Sequence, residues 1–118
     1  MEVAVPDDVL RVLEYLDASG RSPFGRWFDR LSPVAAAKAA VALYRLGHGN
    51  FSNVKGVGTG VYEFKIDFGP GYRIYFGKDG DRIILLGGGD KKRQAVAINN
   101  AQDAWVQYKG RKVRTDRD

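Results

Sequence analysis

Residues 61–94 read VYEFKIDFGPGYRIYFGKDGDRIILLGGGDKKRQ, the clearest strand alternation in the chain. Tyr62, Phe64, Ile66 and Phe68 change places with Val61, Glu63, Lys65 and Asp67, so one face is apolar and the other mostly charged. That is the period of a half-buried strand. Tyr72, Ile74 and Phe76 repeat it against Arg73 and Tyr75, and Gly69-Pro70-Gly71 separates the two runs as a turn.

Placing both apolar sets on one face of an antiparallel hairpin requires paired residue numbers with an even sum. A three-residue loop then pairs Phe68 with Tyr72, Asp67 with Arg73 and Lys65 with Tyr75. Glu63, Lys65, Asp67, Arg73 and Tyr75 would share one face as a compact titratable group. Asp79-Gly80 is a hairpin turn signal leading into Ile83-Ile84-Leu85-Leu86, an apolar run expected to form an interior strand covered on both faces. That strand ends in Gly87-Gly88-Gly89, after which Asp90 can cap a helix beginning Lys91-Lys92-Arg93-Gln94. Free amides and three cations are therefore expected at one strand end.

Working outward, 118 residues suffice for one domain. A net charge of +5 favours phosphate-rich partners. With no cysteine and a single histidine, disulfides and thiolate metal sites are excluded, and no metal or other cofactor is expected. Apolar runs fall short of membrane-spanning length and the first residues do not resemble a signal peptide, which points to a cytoplasmic protein without membrane contact.

Residues 1–8 read as an irregular lead-in. Val9–Leu16 is ambiguous between strand and helix, and its pattern leans helical. Ser22-Pro23 and Ser32-Pro33 each supply an N-cap followed by proline at the first helical position, predicting an αα-hairpin. The second helix is expected to carry Val34, Ala37, Val41 and Tyr44 on its packed stripe and to end near Gly47. Residues 48–60 read as a loop with Lys55 as its one charge. A last helix is expected from about Lys92 to Lys109, with Ile98, Ala101, Trp105 and Tyr108 at core spacing, and a loose tail over 109–118. The whole is an α+β domain.

The run VYEFKIDFGPGYRIYFGKDGD…LLGGGDKKRQ, preceded by SPFGRWFDRL and by LxxGNxSNVKGVGxGVYE, resembles the HigB-like addiction-module killer proteins of the RelE/ParE toxin superfamily over about Val9 to Lys109. The resemblance implies a RelE-like fold: an N-terminal strand, overruling the helical lean, and an αα-hairpin on a small, mainly antiparallel sheet with a C-terminal helix. It implies a toxin with a cognate antitoxin, commonly a small helix-turn-helix protein. It also implies either a ribosome-dependent mRNA endonuclease that uses the RNA 2′-hydroxyl, or a non-enzymatic inhibitor of DNA gyrase or the ribosome, or an inactive relic.

Carried onto this chain, the resemblance matches Lys65 and Arg73 to the catalytic lysine and arginine of strands two and three, and Lys91 and Lys92 to the basic residues after the last strand. Lys65 is the candidate base with Glu63 its competitor. Arg73 is the candidate phosphate clamp. Lys91 or Lys92 would protonate the leaving oxygen or bind the next phosphate. Lys55, Tyr75, Arg93 and the amides of Gly88 and Gly89 are the candidate RNA contacts. The chain departs from the family in having Glu63 where some relatives carry a second lysine, and Ala95-Val96-Ala97 where a tyrosine stands in RelE. Tyr75 or Tyr108 would have to substitute for it.

Overall fold

The computed structural model describes residues 9–117, so the expected lead-in over 1–8 and the last residue lie outside the described part. The elements are β1 Arg11–Glu14, α1 Pro23–Asp29, α2 Pro33–Gly47, β2 Val54–Gly56, β3 Tyr62–Ile66, β4 Tyr72–Asp79, β5 Arg82–Gly89 and α3 Gln94–Arg117. The five strands lie in the order β1-β5-β4-β3-β2, with β1 parallel to β5 and the other pairs antiparallel. This mostly antiparallel open sheet with three helices is consistent with the RelE-like fold that the resemblance implied.

β5 sits inside the sheet, and its side chains feed two cores. Ile83 and Leu85 join Phe24, Trp27, Leu46, Phe64, Ile74 and Phe76 beneath α1 and α2. Ile84 and Leu86 join Tyr15, Val61, Tyr75, Ala101 and Trp105 beneath α3. Double coverage explains why this strand reads as an unbroken apolar run. Two glycines admit the indoles: Gly88 lies directly under Trp27, and a methyl on Gly77 would come 2.5 Å from Trp105.

The two Ser-Pro starts form as expected. Ser22 Oγ accepts from the Gly25 amide at 2.9 Å and Ser32 Oγ from that of Ala35 at 3.2 Å. Ser22 Oγ also donates to Glu14, fastening α1 to β1.

Several expectations are corrected. Residues 11–14 form the N-terminal strand that the resemblance implied, against the helical lean of their local pattern, because Val12 packs on the α2 side while Leu13 and Tyr15 pack on the α3 side. The parallel partner β5 decides this, and it is remote in sequence. Within 48–60, Val54–Gly56 forms an edge strand on β3. α3 starts at Gln94, and it continues through the expected tail to Arg117.

The β3–β4 register differs by two residues from the one expected. Ile66 pairs with Tyr72, Lys65 with Arg73 and Glu63 with Tyr75, leaving residues 67–71 as a longer loop. Gly69 (φ 56°) and Gly71 (φ 77°) supply the left-handed conformations this loop needs. A slip of two preserves parity, so the faces are as expected.

The packed stripe of α2 is also corrected. Ala35, Ala39, Ala42 and Leu46 are buried, whereas Val34, Val41 and Tyr44 point outward.

At the far end of β4, Asp79 accepts from Lys112 Nζ at 2.6 Å and from Tyr108 Oη at 2.5 Å. The hydrogen bond from Lys112, then that from Tyr108, hold its carboxyl below the usual range. A carboxylate whose folded pKa is depressed contributes stability above its unfolded value of about 3.9, and that contribution is lost as pH falls through the folded pKa. Asp79→Asn should therefore lower the urea midpoint at neutral pH and flatten its decline on acidification below about pH 4. Parallel acid profiles for the two proteins would refute this.

Candidate phosphate-binding cleft

The loop that joins β3 to β4 and the turn that joins β5 to α3 meet at one end of the sheet. The Lys91 amide donates to the Pro70 carbonyl at 3.4 Å, which ties the two connections together. Between them lies an open cleft of about 550 Å³, lined by Lys65, Asp67, Phe68, Arg73 and Lys91 around the Gly69–Gly71 loop. Lys65 and Arg73 are direct cross-strand partners and so share a face. Three of the five proposed catalytic residues are thus brought to one place. Like-charged neighbours opposite each other destabilise a strand pair, and a bound anion would relieve that repulsion.

Behind the cleft is a buried polar cluster centred on Glu63, which is 1% exposed. Its Oε2 accepts from Tyr75 Oη and from Gln94 Nε2, both at 2.9 Å. Its Oε1 lies 3.6 Å from Arg73 Nε and 3.6 Å from the exposed Lys55 Nζ. Arg73 Nη1 donates to the Gly71 carbonyl at 2.6 Å, while its buried Nε has no hydrogen-bond partner. Arg73 is therefore held from behind by a carboxylate and from the side by the loop, and it lines the cleft with a side chain that is only 7% exposed.

This cluster corrects two assignments. Glu63 is buried, with Oε2 bonded to Tyr75 and Gln94, and it does not line the cleft where a substrate hydroxyl would meet a base. Tyr75 is fully buried, and burial, followed by its hydrogen bond to Glu63, pushes its hydroxyl well above the usual range. It does not line the cleft, and its hydroxyl is committed to Glu63. Tyr108 stands by Asp79, at the turn end of the β4–β5 hairpin rather than at the cleft, and cannot substitute either.

The remaining candidates are dispersed. Lys92 is exposed beside Lys91 but does not line the cleft, and Arg93 lines a neighbouring groove with Trp27, Arg30 and Tyr72. Gly88 and Gly89 belong to β5, opposite Ile74 and Arg73, and do not form the phosphate-cradling loop expected of them. A methyl on Gly89 would come 2.9 Å from Ala97, so close packing accounts for both residues.

Sequence reasoning missed Asp67 as a functional candidate. It was expected as a cross-strand partner of Arg73, but it lies in the loop with its Oδ1 3.5 Å from Lys65 Nζ and is, among the described residues, the one carboxylate lining the cleft. Gln94, which orients Glu63, carried no signal beyond its place at a helix start. Among the described residues no cluster of three metal-ligating side chains occurs, and no helix is long and apolar enough to cross a membrane.

Comparison with known proteins bears on this arrangement. Residues 26–109 match the family described as "Phage derived protein Gp49-like (DUF891)". A protein of Haemophilus influenzae, described as uncharacterized, is 41% identical over 81 residues, covering 67% of this chain and 82% of the relative.

Proposed function

This chain belongs to the phage-derived Gp49-like family, and from that premise we propose that it is the toxin of an addiction module of RelE/ParE type, silenced by a cognate antitoxin. Its target is mRNA on the ribosome. The observation that carries the reading is the convergence of Lys65, Arg73 and Lys91 on one open cleft, beside an aromatic wall formed by Phe68. Cations hold the phosphates, and an aromatic ring accepts a base by stacking.

In this reading Arg73 and Lys91 grip the scissile phosphate, and Lys65 steadies the charge that develops on it. Asp67 takes the proton of the 2′-hydroxyl. The 2′-oxygen bonds to phosphorus as the bond to the 5′-oxygen breaks. Lys91, which lines the cleft, donates a proton to that leaving oxygen, giving a 2′,3′-cyclic phosphate and a 5′-hydroxyl.

One observation favours a second reading. With Glu63 and Tyr75 sealed, the cleft offers a single carboxylate and no tyrosine, which suits a protein that binds and blocks the ribosome or gyrase without cutting.

Translation of a defined mRNA in a reconstituted system, with primer extension, separates the readings. Wild type should leave new 5′ ends inside the translated message. Asp67→Asn should lower the cleavage rate by about 10²- to 10⁴-fold with little loss of binding, whereas Lys65→Ala and Lys91→Ala should also weaken binding. Stalled translation on intact message would remove the nuclease, and intact translation with inhibited supercoiling would turn the reading to gyrase.

A further inference from the structure

α2 has two apolar faces, and only one is used inside the chain. Ala35, Ala39, Ala42 and Leu46 are buried, while Val34, Val41 and Tyr44 stand 57%, 49% and 67% exposed, with Ala37 also exposed between them. Positions 34, 37, 41 and 44 follow helical spacing, so they form one continuous stripe about 15 Å long. Scattered exposed apolar residues need no explanation. Four in line match the anchor spacing by which one helix grips another.

Charge selects the occupant. The sequence of α2, PVAAAKAAVALYRLG, holds Lys38 and Arg45 and no acidic residue. Both cations border the stripe on the side of β3, and neither has a carboxylate partner among the described residues. A second copy of this chain docking on the same face about a two-fold axis would crowd four uncompensated cations into the contact. An amphipathic helix with acidic flanks satisfies both the stripe and the cations.

The seat adjoins the cleft. The groove between α2 and β3 is lined by Lys38, Val41 and Arg45 on one wall and by Lys65, Asp67 and Phe68 on the other. The last three also line the phosphate cleft. We propose that the outer face of α2 seats an acidic amphipathic helix of a partner protein, and that the seated helix silences the cleft by covering Phe68 and engaging Lys65. This rests on the toxin reading for its biological meaning and specifies where and how the partner acts.

Two synthetic helical peptides of about three heptads, each with a leucine stripe, test it: one flanked by glutamate and one by lysine. Titrated into the ¹⁵N-labelled protein, the glutamate peptide should shift the amides of α2 and of residues 65–68 and bind at least about tenfold tighter than the lysine peptide. Val41→Glu should abolish that binding, and the double variant Lys38→Glu, Arg45→Glu should reverse the preference. These side chains are exposed, so unchanged urea midpoints will show that each variant is folded.

Equal binding of the two peptides, or shifts elsewhere, overturns the proposal. So does a concentration-dependent dimer that Val41→Glu dissolves, which would seat a second copy, or an RNA oligonucleotide that shifts α2. In cells, the Val41→Glu chain should arrest growth even when co-expressed with the protein of the adjoining reading frame that silences wild type. Silencing of both chains removes the seat and leaves the toxin reading standing. A wild-type chain that arrests nothing removes the toxin reading, and the peptide titration still decides the surface.

Discussion

Replacing Glu63 by alanine should destabilise the protein by about 3–5 kcal/mol, because it strips a buried arginine of its counter-charge. Arg73 and Glu63 are 7% and 1% exposed at the side chain, and the guanidinium Nε, already without a hydrogen bond, would lose the one carboxylate beside it among the described residues. The same substitution leaves Tyr75 Oη and Gln94 Nε2 without their acceptor. Each orphaned polar group adds a desolvation cost of about 1–3 kcal/mol if nothing else relaxes to meet it.

Glu63→Gln keeps an acceptor and loses the charge, so it should fall between wild type and alanine. The double variant Glu63→Ala, Arg73→Met should recover much of the loss, since an ion pair replaced as a pair is often neutral. Urea denaturation with unchanged m-values measures all three. A Glu63→Ala protein within about 1 kcal/mol of wild type would return Glu63 to the list of catalytic candidates, because a carboxylate so easily lost is not what holds Arg73 in place.

Gly88→Ala should cost about 3 kcal/mol or more, while Gly87→Ala one residue away should stay within about 0.5 kcal/mol of wild type. A methyl on Gly88 would occupy the space of the Trp27 indole, which is 9% exposed and packed against Phe24 and Tyr72 at 5.8 and 6.3 Å between ring centroids. The ring cannot yield without disturbing the core. A methyl on Gly87 meets nothing within 4 Å, and its backbone is not left-handed. Thermal melts of the two variants make the comparison directly. Equal loss in both would mean that the glycine run is needed for backbone freedom rather than for the indole, and equal tolerance would mean that Trp27 has room to move.

Much of the site was legible before the fold was known, and the parts that were not share a cause. The alternation in β3 and β4 put Lys65 and Arg73 on one face, and that survives a two-residue error in register because parity is unchanged. The error still mattered. It sent Asp67 into the loop beside Lys65, and it set Glu63 opposite Tyr75. The burial of both followed from α3 crossing the charged face of the sheet, with Gln94 placed over Glu63. No local pattern around Glu63 announces a helix that begins 31 residues later. The stripe of α2 differs for a related reason: contact close to the sheet is made by Ala35, Ala39, Ala42 and Leu46, and no local signal distinguishes that face from the one carrying Val34, Val41 and Tyr44.

Local chemistry in the chain alone determined the two Ser-Pro helix starts, the places where the hairpins turn though not the length of the β3–β4 loop, the doubly covered β5 and the shared face of Lys65 and Arg73, because capping, turn conformation and side-chain period act over a few residues. The tertiary structure alone decided that Glu63 and Tyr75 are buried while Asp67 is open, and that Val34, Val41 and Tyr44 of α2 face outward. Those outcomes depend on which distant elements come to lie against each residue, and burial is a property of that neighbourhood rather than of the residue itself.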